Sequence, residues 1–192
     1  MDDRPAICSL GLRATSPPLQ DTWTLVRAPN APPPRSAHQA AIHKNYLYVF
    51  GGEFTSPNQE KFHHYRDLWR LDLTTHTWDN LPIKGGPSAR SGHRMAVYKS
   101  KLVLFGGFYD TGAEFRYYND LWVYDIEDKK WQAVGNPANG PSPRSACQLS
   151  IFDDKMYLYG GYFKEEDDED ELVEHGKVRR VDLGCPMHTT SA

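Results

Sequence analysis

YLYVFGG (46–52) returns as KLVLFGG (101–107) and again as KMYLYGG (155–161). Each is a short, nearly continuous run of aromatic and aliphatic residues that stops at a glycine pair. Such a run reads as a strand covered on both faces, not as one side of an amphipathic helix. From Gly51-Gly52 to Gly106-Gly107 to Gly160-Gly161 the intervals are 55 and 54 residues. Other landmarks recur at steps of 53 to 55 residues. Arg35-Ser36 becomes Arg90-Ser91 and Arg144-Ser145, Trp23 becomes Trp78 and Trp131, and Asp67-Leu68-Trp69 becomes Asp120-Leu121-Trp122. Independent landmarks in one register mark an internal repeat, and a period near about 50 residues marks propeller blades.

The rest of each unit follows from the same register. A second strand reads LWRLDL (68–73), LWVYDI (121–126) and, more weakly, VRRVDL (178–183). A short polar turn, TTHT or EDKK, leads into a third strand at Trp78 or Trp131, as a hairpin should. Pro/Gly-rich joints, APNAPPP (28–34), IKGGPSA (83–89) and GNPANGPSP (135–143), precede each Arg-Ser step. A fourth strand follows as HQAAIH, HRMAVY and CQLSIF. The expected fold class is all-β, with about three four-stranded antiparallel blades forming an incomplete propeller. The expected division is a non-repeat segment 1–20 and a repeat region 21–183. That region splits into a blade end 21–34, blades 35–88 and 89–142, and a partial blade 143–183. An acidic insertion spans 162–177, and 184–192 is a non-repeat tail. Closure needs roughly four to eight blades, so three read as a fragment, a truncated isoform or an incomplete gene model. Arg179 stands in the slot of Trp69 and Trp122, and His188 in that of Trp78 and Trp131, so the third blade should lack its outer strand. Two open blade faces would then be liable to aggregate or associate.

These residues resemble the kelch repeat, a double glycine after a strand, an aromatic near an Asp, and a Trp about six residues further on. Gly51-Gly52, Trp69, Asp72 and Trp78 match it, as do Gly106-Gly107, Trp122, Asp125 and Trp131. Phrases such as APPPRSAHQA, YVFGGEFTSPN, HHYRDLW, GGPSARSGHRM, LFGGFYD, YYNDLWVYD and GPSPRSACQ are similar to one branch of that family, over roughly residues 21–183. The resemblance implies a propeller, usually of about six or seven blades, that serves as an interaction scaffold without a single shared activity. Physical reasons for the motif stand beside it. Glycine lets backbone approach backbone between blades. Paired tryptophans fill the wedge between sheets, each bringing one N–H to be satisfied. Asp72 and Asp125 precede hairpin turns, where a carboxylate accepts backbone N–H groups. Arg35, Arg90, Arg144, Gly51, Gly52, Gly106, Gly107, Gly160, Gly161, Trp69, Trp78, Trp122 and Trp131 are therefore read as structural positions.

Composition narrows the function. Of 192 residues, 22 are Lys or Arg and 25 Asp or Glu, a formal charge of −3, with 39% apolar and 24% charged. That balance suits a folded soluble chain and lacks the clustered cations of a nucleic-acid surface. No apolar run approaches the ~20 residues of a membrane span, and the N-terminus does not read as a signal peptide. Cys8, Cys147 and Cys185 form no C-x-x-C pair, which fits a reducing compartment. The expected location is cytoplasmic, with the nucleus also open. No nucleic-acid or membrane partner and no cofactor is expected.

Candidate sites are few. His63, His64, Tyr65, Tyr117 and Tyr118 lie in long loops after the glycine pairs, where recognition residues collect on a rigid scaffold. The competing reading packs them beneath the loop, with Tyr118 the more buried. His38, His93 and Cys147 share one repeat position, and convergence near a propeller axis would make a metal site. Repeat symmetry accounts for the coincidence without a ligand. Residues 165–171, EEDDEDE, with Glu174, hold eight acids, and the rest of the chain would carry +5. Such a run stays extended and reads as a solvated insertion, able to attract a basic partner. Phosphate-loop, nucleophile-elbow and zincin motifs are absent. The expected function is a non-enzymatic scaffold that binds a protein partner, its identity unknown, through propeller loops. The alternatives are a metal-dependent kelch enzyme and a substrate adaptor of a ubiquitin ligase.

Overall fold

The computed structural model describes residues 7–9, 23–58, 61–112, 115–136, 139–164, 172–174 and 178–183. No helix occurs among them. Strand β1 (Ile7–Ser9) pairs with β2 (Thr24–Val26). The first sheet opens with β3 (Gln39–His43) and β4 (Tyr46–Phe50). A hairpin of β5 (Glu53–Thr55) and β6 (Phe62–His64) projects before β7 (Leu68–Asp72) and β8 (Thr77–Leu81) complete it. The second unit repeats this plan with β9 (Arg94–Tyr98), β10 (Lys101–Phe105), β11 (Phe108–Asp110), β12 (Phe115–Tyr117), β13 (Leu121–Asp125) and β14 (Lys130–Ala133). The third holds β15 (Gln148–Phe152), β16 (Lys155–Tyr159), β17 (Tyr162–Lys164), β18 (Leu172–Glu174) and β19 (Arg179–Asp182).

Strand orders are β3-β4-β7-β8, β9-β10-β13-β14 and β15-β16-β19, all antiparallel. The third sheet thus has three strands, and Arg179 faces Leu158 as Trp69 faces Val49 and Trp122 faces Leu104. Two features depart from the sequence reading. The stretches after the glycine pairs, expected as loops, each hold a short two-stranded hairpin. Ile7–Ser9, expected outside the repeat, is a strand on β2. The acidic residues 165–171 lie outside the described residues, as does the tail 184–192.

Central strands are covered on both faces because the sheets stack. Leu102, Val103, Leu104 and Phe105 of β10 are all buried. One core joins the first two sheets: Phe50 and Leu68 from the first, Met95, Leu102, Leu104, Tyr124 and Trp131 from the second. A second core joins Phe105 and Leu121 to Met156 and Leu158 of the third. Strand β3 lies beside β9 and β9 beside β15, so the first strand of each unit forms the inner edge.

The glycine pairs sit where sheets meet. Gly52 N donates to Arg90 O, and Gly107 N donates to Arg144 O, both at 2.9 Å. Gly106 has φ +70°, and a Cβ there would lie 2.7 Å from the Arg144 carbonyl oxygen. Only glycine meets both demands, the left-handed backbone and the close approach. Gly160 has the same φ sign but nothing within 4 Å of its Cβ position, because no described sheet follows it.

Candidate functional site

The repeated arginine organises the end of each blade from which the hairpins project. Arg90 is fully buried and holds Asp120 in a two-point ion pair, Nη1 to Oδ1 at 2.6 Å and Nη2 to Oδ2 at 2.9 Å. Nη1 also donates to Gly106 O at 3.0 Å, and the guanidinium stacks 4.0 Å above the Tyr118 ring. Asp120 Oδ2 in turn accepts the Trp122 Nε1–H at 2.7 Å. The first blade has the same set: Arg35 on Asp67 at 2.6 and 3.0 Å, Tyr65 beneath Arg35 at 4.0 Å, and Trp69 donating to Asp67. Planar two-point pairing is what guanidinium does best, and buried ring faces add to it. Tyr65 and Tyr118 are thus half-buried platforms for arginine.

In the third blade Arg144 keeps the Gly160 carbonyl at 2.8 Å and Ser142 Oγ at 2.9 Å, but has no carboxylate partner among the described residues. The equivalent of Asp120 in this register is Lys177, which is not described. Burial, with Arg179 nearby, lowers the Arg144 pKa.

Of the two tryptophans per blade, Trp69 and Trp122 have their N–H satisfied by Asp. Trp78 and Trp131 are buried with Nε1 unpartnered, so their contribution is packing. Asp72 and Asp125 each accept two backbone N–H groups of the following turn.

The hairpins carry a band of aromatic rings that runs across all three blades. Phe62 meets His64 at 4.9 Å, His64 meets Phe108 at 5.4 Å and Tyr109 at 5.1 Å, and Phe108 meets Tyr117 at 6.1 Å. Phe115 joins Tyr117 at 5.0 Å, and Tyr117 reaches Tyr162 and Phe163 at 6.3 Å. Edge-on contacts dominate, as ring quadrupoles favour. Phe62, Phe115 and Tyr162 keep about 40% of their surface exposed. Lys61, Arg66 and Arg116 are exposed in or beside the same hairpins.

The sequence candidates divide within this band. His63 is exposed and lies between Phe54, at a tilt, and Tyr65, edge-on. His64 is buried: Nδ1 lies 2.7 Å from Ser91 Oγ, and Nε2 lies 2.9 Å from the Asp110 backbone. Burial lowers its pKa despite Glu53 at 3.8 Å, so it is a neutral inter-blade link. Tyr117 is half-buried within the band, and Tyr118 half-buried under Arg90. Phe62, Phe115, Tyr162 and Phe163 were not singled out from sequence. Their signal was available in the register, since FHHYRD (62–67) aligns with FRYYND (115–120).

His38, His93 and Cys147 each pack against the second glycine of their own blade. His93 is wholly buried, with neither ring nitrogen in a hydrogen bond of good geometry. Burial and neighbouring cations hold it neutral, although the Phe50 backbone favours its charged form. Cys147 is a buried free thiol whose pKa burial raises. Among the described residues no group of three or more His, Cys, Asp or Glu side chains is placed to hold a metal ion.

Stacked antiparallel sheets, joined through glycine pairs with the first strand innermost, define the chain as a set of β-propeller blades. Residues 18–176 match the KLHDC2/KLHL20/DRC7 Kelch-repeats domain, and the chain belongs to the kelch-repeat family. Kelch domain-containing protein 3 of Homo sapiens is 27% identical over 179 residues, 88% of this chain and 46% of that protein. Host cell factor 1 of Mus musculus is 32% identical over 165 residues, 77% of this chain and 8% of that protein. The solved structure of YjhT shares the fold, with a TM-score of 0.62 at 19% identity over 86% of this chain and 57% of that one. The chain therefore spans about half the length of kelch domain-containing protein 3 and a small part of host cell factor 1.

Proposed function

We propose that the chain is a non-enzymatic interaction scaffold that holds a protein partner against the hairpin face of its blades. The observation that carries this is the aromatic band, continuous from Phe62 to Phe163, with three partly exposed rings and flanking cations. Exposed aromatics on a rigid frame give contact area at low ordering cost, and they are typical of interface cores. Lys61, Arg66 and Arg116 favour a partner whose apolar side chains are set among carboxylates. Within the family, the phrases quoted above resemble kelch domain-containing protein 4, and we propose that branch for the chain. Alignment to that protein should extend through 21–183 at an identity well above the 27% found for protein 3.

The binding test is a Phe62→Ser/Phe115→Ser chain compared with the parent by quantitative affinity capture. Both positions are partly exposed, so melting should shift by only a few degrees, about what surface changes produce. Partners held by the hairpin face should fall at least about tenfold. An unchanged partner set, with the chain still folded, would contradict the proposal.

A further inference from the structure

The first two blades meet along a seam that a histidine crosses. Two backbone bonds join them: Gly52 N donates to Arg90 O, and Gly92 N donates to Ala37 O, both at 2.9 Å. His93 directly follows Gly92. Its ring lies edge-on to Phe50 of the first blade, with 5.4 Å between ring centres, and a Cβ on Gly51 would sit 3.0 Å from its Cε1. The side chain is wholly buried, and neither ring nitrogen has a hydrogen-bond partner among the described residues. The charged groups that bear on it are Arg90 from the joint, Arg94 at the start of β9 and His38 from the first blade, and each opposes a proton on the ring. Phe50, from β4, offers only its backbone in favour of the charged form. A proton on His93 would make a buried cation among cations, which the closed seam does not accept.

The second seam is built alike without the imidazole. Gly107 N donates to Arg144 O at 2.9 Å, and Ala146 N donates to Gly92 O at 2.8 Å. The His93 position is Cys147, 1% exposed and in one core with Phe105, the counterpart of Phe50. Both side chains press on the second glycine of their blade, since a Cβ on Gly107 or Gly161 would lie 2.9 Å from theirs. The hairpin end repeats the contrast. His64 spans the first seam to Ser91 and Asp110, and its counterpart in the next blade is Tyr117. Glu53 lies 3.8 Å from His64, so a proton there has a partner that one on His93 lacks.

We propose that the first seam is an acid-operated joint, held shut by neutral His93 and opened when that ring takes a proton, while the second seam is indifferent to the same change. In the opened chain the ring titrates near about 6.5, whereas the closed seam holds it well below that value. The stabilisation is therefore complete above about pH 6.5 and is lost as pH falls below it, with the open population rising about tenfold per pH unit. The aromatic band crosses the first seam between His64 and Phe108, so opening divides it. Acid release of a partner rests on the function proposed above, whereas the joint itself does not.

The test is hydrogen exchange of single amides, read by NMR on the whole 192-residue chain at about pH 7.5 and about pH 5.5. Each rate is divided by that of unstructured peptide at the same pH. Gly52 and Gly92 report the first seam, and Gly107 and Ala146 report the second. Protection at Gly52 and Gly92 should fall about tenfold in acid, while that at Gly107 and Ala146 should change less than about twofold. A His93→Cys chain takes the side chain that the second seam already holds, and there Gly52 and Gly92 should lose this pH dependence. No fall at Gly52 and Gly92 in the parent, or an equal fall at both seams, would overturn the proposal without any variant. So would a His93→Cys chain that keeps the full fall.

Discussion

Arg35, Arg90 and Arg144 occupy one repeat position with unequal partners, and that inequality makes the residue-scale account testable. Burial alone would raise the Asp120 pKa, but hydrogen bonds and charge from Arg90, with the Trp122 N–H, more than offset it. Its carboxyl therefore titrates below its ordinary range. Asp67 shows the same balance with Arg35 and Trp69. The folded chain thus binds these two protons less readily than the unfolded chain. Their stabilisation is complete above about pH 4, the unfolded value, and is lost as pH falls through the lower folded-state values. Urea unfolding across that range should show the parent losing stability on the acid side. An Asp67→Asn/Asp120→Asn chain should be weaker at neutral pH and flatter below about pH 4. An unchanged acid slope in the variant would place the effect on other carboxylates. The arginines were legible as repeat landmarks, but their partners stand 32 and 30 residues away, a pairing no local pattern encodes. Asp67 and Trp69 were within reach, because a spacing of two puts both on one face of a strand.

Strands at the glycine pairs were readable because each is a compact apolar run with a repeated stop signal. The hairpins β5–β6, β11–β12 and β17–β18 were not. Their strands are three residues long and mix aromatic with charged residues, so neither period nor composition separates them from loop. Burial of His64 was invisible for a different reason: its cover, Ser91 and Asp110, comes from the following blade. The same dependence on the next blade gives the element-scale prediction. Gly106→Ala and Gly160→Ala both force a left-handed alanine, at about 1–2 kcal/mol. Gly106→Ala also drives a Cβ into the Arg144 backbone, whereas Gly160→Ala meets nothing within 4 Å. Gly106→Ala should therefore cost at least about 1 kcal/mol more, as overpacking does. Denaturant midpoints of the two chains give the comparison, and equal losses would mean that the blades do not meet where the structure joins them.

At the scale of the molecule, stability comes from sheet on sheet, and it should be graded along the chain. The second sheet has a neighbour on each side and contributes to both of the large cores. Among the described residues the third has a neighbour on one side, three strands, and no strand paired beyond Arg179–Asp182. Repeat proteins with nearest-neighbour coupling lose structure first where neighbours are fewest. Kelch-repeat sequence announced the blades and their number, and Arg179 in the slot of Trp69 and Trp122 announced a third blade unlike the first two. Hydrogen–deuterium exchange of the whole chain, read segment by segment, is the most direct test of this stacked and graded architecture. The account predicts slowest exchange at Lys101–Phe105, intermediate exchange at Lys155–Tyr159, and fastest exchange among the blade strands at Arg179–Asp182. Protection at Arg179–Asp182 equal to that at Leu121–Asp125 would contradict it.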